Sequence, residues 1–135
     1  IIIPLTKYYD ISAEEVVSVQ FYDLRNQDSA HYSGFDTILE PVYTIPEEDT
    51  EDFLDDFSKL KFSDSIIIVL AAIDPSFYYG DWVVRINFSN GQYTFYSCGG
   101  YGETFDAEGN CISSTHFSCD DEELKNLVGK YYETE

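Results

Sequence analysis

The sequence predicts an α+β domain: a mostly antiparallel β-sheet of meander form with two amphipathic helices packed on one face. Three observations predict it. Asn90-Gly91 stands between two alternating runs within Asp81–Cys98, DWVVRINFSNGQYTFYSC, and both residues tolerate the positive φ of a tight hairpin turn. Ile66–Ile73, IIIVLAAI, is an uninterrupted apolar run; its β-branched start and the following Pro75 favour a central strand over a short buried helix. Two other segments carry apolar residues at helical spacing, and a helix with one apolar stripe needs a sheet face to cover.

The hairpin fixes the expected faces. With a two-residue type I′ turn, Phe88 faces Tyr93, Ile86 faces Phe95 and Val84 faces Ser97. The predicted inner face is then Val84, Ile86, Phe88, Tyr93 and Phe95, and parity adds Trp82 as a core residue. Arg85, Asn87, Thr94 and Tyr96 form the other face, left open to a partner.

In chain order, Ile1–Tyr9 is apolar but interrupted by Pro4, which suits an edge strand or an arm. Ser12–Glu15 has capping-box form, yet Val17, Val19 and Phe21 alternate with polar neighbours, so at most one helical turn precedes a strand reaching about Asp23. Phe35–Tyr43 reads as a second strand near an edge, because of Pro41. Thr44 is the expected N-cap of the first helix, with Pro46 in its first turn and Glu47 at the third position. The helix is predicted to run to Lys61, burying Phe53, Leu54, Phe57 and Leu60. After the hairpin, Glu103–Asp106 and Cys111–Phe117 are expected as short strands. A closing helix follows the Asp120/Glu123 box and buries Leu124, Leu127, Val128 and Tyr131.

A chain of 135 residues is expected to form one domain spanning 1–135. Its 12 Tyr, 10 Phe and one Trp exclude a disordered acidic tail. The 26 acidic against 7 basic residues, formally −19, set up a field that repels nucleic acids and anionic membranes and attracts basic partners. No apolar stretch reaches transmembrane length. The chain begins at Ile1 and contains no Met, as expected if a leader, a lipid-anchor linker or a tag has been removed. Compartment stays open, with the cytoplasm ahead of export.

No constellation argues for catalysis or a cofactor. Cys98, Cys111, His116 and Cys119 are zinc-ligating types, but the spacing lacks the close Cys pair that anchors structural zinc sites. Thiols suit them best, and a disulfide involving Cys98 next. A Cys-His nucleophile at Cys119 and His116 lacks a strand-turn-helix elbow, and negative surroundings would raise a thiol pKa. His31 reads as solvent-facing. Asp106, Glu108 and Asn110 mimic the start of a calcium loop, but Gly109 is misplaced and Phe117 stands where the bidentate Glu belongs. Gly99–Gly102 lacks the phosphate-cradle pattern. Carboxylates are too numerous to single out a hydrolytic pair.

What remains is charge and surface. Seven of the ten residues Glu47–Asp56 are acidic and occupy the outer face of the first helix. The expected function is therefore a non-catalytic protein-binding domain whose acidic surface docks a basic protein. The residues expected to contact it are Glu47, Glu48, Asp49, Glu51, Asp52, Asp55 and Asp56 on the helix. Tyr78, Tyr79 and Tyr101 would serve as aromatic anchors, with Arg85 and Tyr96 on the open sheet face. In size, charge and helix-over-sheet layout the chain resembles the small acidic α+β immunity proteins of bacteria. The resemblance implies binding and neutralising a toxin, often a cationic nuclease, and no motif carries a residue-level role. Two other readings fit the same composition: an exported or lipid-anchored cell-surface domain, and a phage-type inhibitor that imitates DNA.

Overall fold

The computed structural model describes residues 6–7, 15–23, 40–63, 82–97, 101–115 and 121–132. The expected strands at Ile1–Tyr9 (beyond Thr6–Lys7), at Phe35–Tyr43 up to residue 39 and at Ile66–Ile73 lie outside them.

The elements are β1 (Thr6–Lys7), β2 (Val16–Asp23), β3 (Tyr43–Thr44), a 3-10 turn (Glu47–Asp49), α1 (Thr50–Phe57), β4 (Phe62–Ser63), β5 (Trp82–Phe88), β6 (Tyr93–Ser97), β7 (Tyr101–Phe105), β8 (Cys111–Thr115) and α2 (Asp121–Tyr131). β1 and β4 form a two-stranded ladder. The other six strands form one antiparallel sheet in the order β3-β2-β5-β6-β7-β8, whose last four strands are a meander. Both helices pack on one face of this sheet, so the α+β fold is as the sequence predicts.

The hairpin register differs from the expected one by a single residue. Arg85 pairs with Phe95, Val84 with Tyr96 and Val83 with Ser97. Phe88 N–H donates to Gln92 O at 2.9 Å, and Gly91 N–H donates to Phe88 O at 3.0 Å. The loop is thus Ser89-Asn90-Gly91, three residues, with only Gly91 at positive φ, +88°. This is a type I turn closed by a left-handed glycine rather than the two-residue I′ turn. Asn90 Oδ1 accepts from Gln92 N–H at 3.0 Å and steadies the loop. Ala107-Glu108-Gly109 closes β7–β8 in the same way: Asp106 N–H donates to Asn110 O, Gly109 N–H donates to Asp106 O, and Gly109 has φ +87°.

One residue of slip exchanges the faces of β6, because side chains alternate with period two. Tyr96 and Thr94 lie on the helix-covered side, with Val84 and Ile86. Tyr93 and Phe95 lie on the far side, with Arg85 and Asn87. The core under the helices is therefore Val19, Phe21, Trp82, Val84, Ile86 and Tyr96 from the sheet, meeting Phe53, Leu54, Phe57 and Leu60 near α1 and Leu124, Leu127 and Val128 of α2. Trp82 is buried, as parity requires. Ring contacts join the layers: Phe21 to Phe53 at 5.5 Å, Phe57 to Tyr96 at 5.1 Å and Trp82 to Tyr132 at 6.2 Å. A bulge between Val16 and Ser18 turns Val17 out to 62% exposure, which breaks the alternation that placed it in line with Val19 and Phe21.

The first helix starts later and ends sooner than its sequence suggests. Thr44 pairs with Gln20 as part of β3, so it is not a cap. Pro46 instead starts the 3-10 turn, where Asp49 N–H donates to Pro46 O at 2.9 Å. Past Phe57, Ser58 N–H donates to Leu54 O and Leu60 N–H to Phe57 O. The chain thereby leaves the helix while Leu60 still reaches the core. The four apolar positions expected to be buried are buried.

The two turn glycines separate backbone strain from crowding. A Cβ on Gly91 would lie 3.0 Å from the Cβ of Ala107 in the neighbouring turn, whereas a Cβ on Gly109 would meet only the Tyr93 hydroxyl, at 3.6 Å. Gly109→Ala should therefore cost about 1 kcal/mol from the left-handed backbone alone, and Gly91→Ala about 1–2 kcal/mol. Adding Ala107→Gly to Gly91→Ala should recover the crowding part only. Urea midpoints of the four chains check this, and equal losses at the two glycines would contradict it.

Candidate functional site

The acidic face is built by α1 and the turn before it. The apolar stripe Phe53, Leu54 and Phe57 is buried, which rotates Glu47, Glu48, Glu51, Asp52 and Asp55 into solvent and leaves Asp49 and Asp56 partly covered. Glu47, Glu48 and Asp49 fill the 3-10 turn, and Glu51 and Asp52 the first turn of α1, where carboxylates meet the positive end of the helix dipole. Among the described residues no ion pair reaches Glu47, Glu48, Asp49, Glu51 or Asp52. The two ion pairs in this region are further along: Lys59 Nζ to Asp55 Oδ2 at 3.2 Å, and Lys130 Nζ to Asp56 Oδ2 at 2.7 Å.

Asp56 does not join the outer face. It points to α2, where its Oδ2 accepts from both Lys130 Nζ and the Tyr131 hydroxyl, the latter at 2.8 Å. The hydrogen bond from Lys130, then that from Tyr131, holds the Asp56 carboxyl below its ordinary range. The same contact raises Lys130. Burial first, and the Asp56 bond second, push the Tyr131 phenol well above its usual value. Asp49, Asp52, Asp55, Asp56, Lys130 and Tyr131 together line an open depression of about 310 Å³ between the helices. Sequence reasoning missed Lys130 and Tyr131 as neighbours of this face. No sequence signal could have found them, because Lys130 and Tyr131 lie 74 and 75 residues from Asp56 and only the packing of the two helices brings them together.

The remaining sequence-predicted residues do not converge on it. Arg85 is half-buried on the sheet face away from the helices. Its guanidinium carbon lies 4.0 Å from the centre of the Tyr93 ring and 5.4 Å from that of Phe95. Arg85 Nε donates to Asn87 Oδ1 at 2.7 Å, while Asn87 Nδ2 donates to Ser18 Oγ at 3.0 Å and Gln20 Oε1 at 3.1 Å. Tyr96, expected beside Arg85, is on the opposite face and buried against Phe57; the three-residue loop is the reason. The far face is not open throughout, since Tyr22, Val83, Phe95, Ser97 and Phe105 are all buried. Tyr101 pairs with Ser97 in β7, and Tyr78 and Tyr79 lie outside the described residues.

The other constellations gain little from the geometry. Cys111 is a free, exposed thiol, 3.5 Å from Ser113 O; Cys98, His31, His116 and Cys119 lie outside the described residues. Among the described residues no group of three or more His, Cys, Asp or Glu is placed to hold a metal ion. Asp106 Oδ1 is occupied by Glu108 N–H at 3.0 Å and Asn110 N–H at 2.8 Å. These backbone bonds, that from Asn110 foremost, lower its pKa and give it a turn-forming role. Among the described residues no helix is long and apolar enough to cross a membrane. Comparison with protein-family models, curated proteins and solved structures finds no match to this chain.

The Asp56 link has a defined pH signature. Its carboxyl is harder to protonate folded than unfolded, so its stabilisation is complete above the ordinary value of 3.8 and disappears as pH falls through the lower folded value. Asp56→Asn should lower stability near neutrality by about 1 kcal/mol. It should also flatten the acid limb of a stability-against-pH curve, measured by urea titration between neutrality and pH about 2. An unchanged acid limb would contradict the link.

Proposed function

We propose that this protein is a non-catalytic binding domain whose acidic α1 face docks a basic protein, in the manner of an immunity protein that neutralises a cationic toxin. One observation carries the reading: Glu47, Glu48, Glu51 and Asp52 are exposed together on the 3-10 turn and the first turn of α1, with no cation paired to them among the described residues. Four unpaired carboxylates within two turns repel one another, and a basic surface docked on them relieves that repulsion. The wider excess of negative charge, formally −19, steers a basic partner inward over a Debye length of about 8 Å and beyond at lower salt. The acidic face sits on a rigid base, because Phe53, Leu54 and Phe57 anchor α1 and Asp56 ties it to α2. A rigid charged face loses little entropy on binding.

The test has two stages. Affinity capture from lysate at low salt should retain a basic protein that high salt releases, and the variant Glu47→Gln/Glu48→Gln/Glu51→Gln/Asp52→Asn should lose it. With the captured protein purified, the same variant should slow association by roughly tenfold or more while leaving dissociation little changed. The neutralisation reading further requires that the captured protein be toxic when expressed alone and harmless when co-expressed with this chain. Retention of no basic protein at low salt sinks the docking proposal, and a harmless partner sinks the immunity role.

A further inference from the structure

We propose that Lys130 is an internal competitor of the basic partner: its ammonium holds Asp56 until a lysine or arginine of that partner displaces it. The inference rests on the partner reading above and names the cation that the docked surface must dislodge. Asp49, Asp52 and Asp56 are spaced by three and four residues, which sets them along one side of α1 and the turn before it. With Asp55 they line the open depression of about 310 Å³ beside α2. Asp52 belongs both to this depression and to the exposed acidic face, so a partner seated on that face borders the depression. Lys130, in the last turn of α2, is the one cation lining it among the described residues.

The contact is built for exchange. Lys130 Nζ lies 2.7 Å from Asp56 Oδ2, yet the lysine side chain is 62% exposed. Among the described residues Asp56 is the one hydrogen-bond acceptor of this ammonium. An ion pair so open to water is held weakly, and a second ammonium or guanidinium competes for the same oxygen. Loss of Lys130 does not release Asp56, because the Tyr131 hydroxyl donates to the same Oδ2 at 2.8 Å. The displaced side chain also has room, since Lys130 lines a second depression of about 380 Å³ with Gly129 and Tyr132. The strut between the helices thus survives the exchange, and only its exposed half changes hands.

Charge decides what the contact does for recognition. Among the described residues Asp55 and Asp56 each have a lysine of this chain, whereas Asp49 and Asp52 have none. The Asp56 bond first, then the charges of Asp56, Asp52 and Asp55, hold Lys130 in its charged form. Its ammonium in turn weakens the pull of the whole depression on an approaching cation. A weakly basic protein gains too little from the remaining acids to expel Lys130. A protein with a lysine or arginine aimed into the depression takes its place. Lys130 therefore raises the basicity that a partner needs, a specificity device working by competition.

The probe is a short lysine-rich peptide without acidic residues, titrated calorimetrically into the full chain. Lys130→Gln should bind it roughly three- to fivefold more tightly than the native chain, the range set by an exposed ion pair. Lys125→Gln removes the same charge from another exposed position of α2, outside the depression, and should tighten binding by less than about twofold. Lys130→Arg keeps a competing cation and should return binding to the native level. In an Asp56→Asn background the advantage of Lys130→Gln over Lys125→Gln should vanish, because the contested acceptor is gone. An advantage that persists there reflects proximity alone and overturns the competition. Near-UV circular dichroism checks that Lys130→Gln keeps its packing, and Lys130→Met takes its place if it does not. Equal effects of Lys130→Gln and Lys125→Gln on the native background overturn the inference and leave the acidic-docking reading standing. No binding to the native chain, or binding indifferent to the Glu47→Gln/Glu48→Gln/Glu51→Gln/Asp52→Asn variant, overturns the docking reading and this inference with it.

Discussion

A left-handed residue at Gly91 closes the β5–β6 turn with three loop residues, and every assignment of β6 to a face follows from that closure. Phe88 then pairs with Gln92 across the turn, Ile86 with Thr94 and Val84 with Tyr96. Tyr96 is thereby delivered to Phe57 and the helices, while Tyr93 is delivered to Arg85. A turn of two residues would exchange these roles, placing the bulk of Phe95 under α1 and Tyr96 in place of Tyr93 beside Arg85. Adjacent turns reinforce the choice: Gly91 packs against Ala107 of the β7–β8 turn, which has the same three-residue form. The central β5 inherits a unique register on both sides, since β2 pairs with it through Val19–Ile86 and Phe21–Val84.

The helices then have one apolar surface on which to sit, and their own stripes match it. Phe53 touches Phe21 below, Phe57 beside and Tyr131 of α2 across, at ring separations of 5.4 to 5.9 Å. An aromatic cluster of this kind gains from area burial and from tilted ring geometry together. It fixes the rotation of α1, and rotation decides which carboxylates face water. Asp56 falls next to α2 and becomes a strut; Asp52, one turn earlier on the same side, lines the same depression yet stays exposed, and Glu51 faces solvent. One packing decision thus separates structural acids from available ones.

Much of this was legible in the sequence. The stripe Phe53, Leu54, Phe57 and Leu60, the closing helix, the short strands β7 and β8 and the burial of Trp82 follow from period and parity alone. The register was not legible. Ser89-Asn90-Gly91 satisfies either turn, because Gly91 takes positive φ in both, and β6 carries aromatic residues on each face, Tyr93 and Phe95 against Tyr96. Pattern therefore could not break the tie. Thr44 misled for a related reason: it has the chemistry of a cap, but the β2 edge offered a competing partner in Gln20. Arg85 stood out as an exception to the charge, whereas its partners Ser18 and Gln20 come from a strand 67 to 69 residues away from Asn87. The Asp56 contacts with Lys130 and Tyr131 span 74 and 75 residues. No local signal joins such pairs.

The distribution of compensation along α1 bears on why its acids are there. A helix dipole favours carboxylates at the N-terminus and disfavours them at the C-terminus, by about 0.3–1 kcal/mol each at exposed positions. Asp55 and Asp56 sit in the unfavourable half, and among the described residues they are the two acids of α1 with a lysine partner. Glu47, Glu48, Glu51 and Asp52 sit in the favourable part, exposed, with no ion pair among the described residues. One or two carboxylates would satisfy that end of the helix, and each addition beyond them meets growing repulsion from its neighbours. Folding alone thus accounts for the paired acids and for part of the unpaired ones. Solubility in a chain already at −19 gains little from concentrating further charge within two turns. The surplus at the N-terminal end is the portion a basic partner would neutralise, and it is the portion on which the proposed function rests.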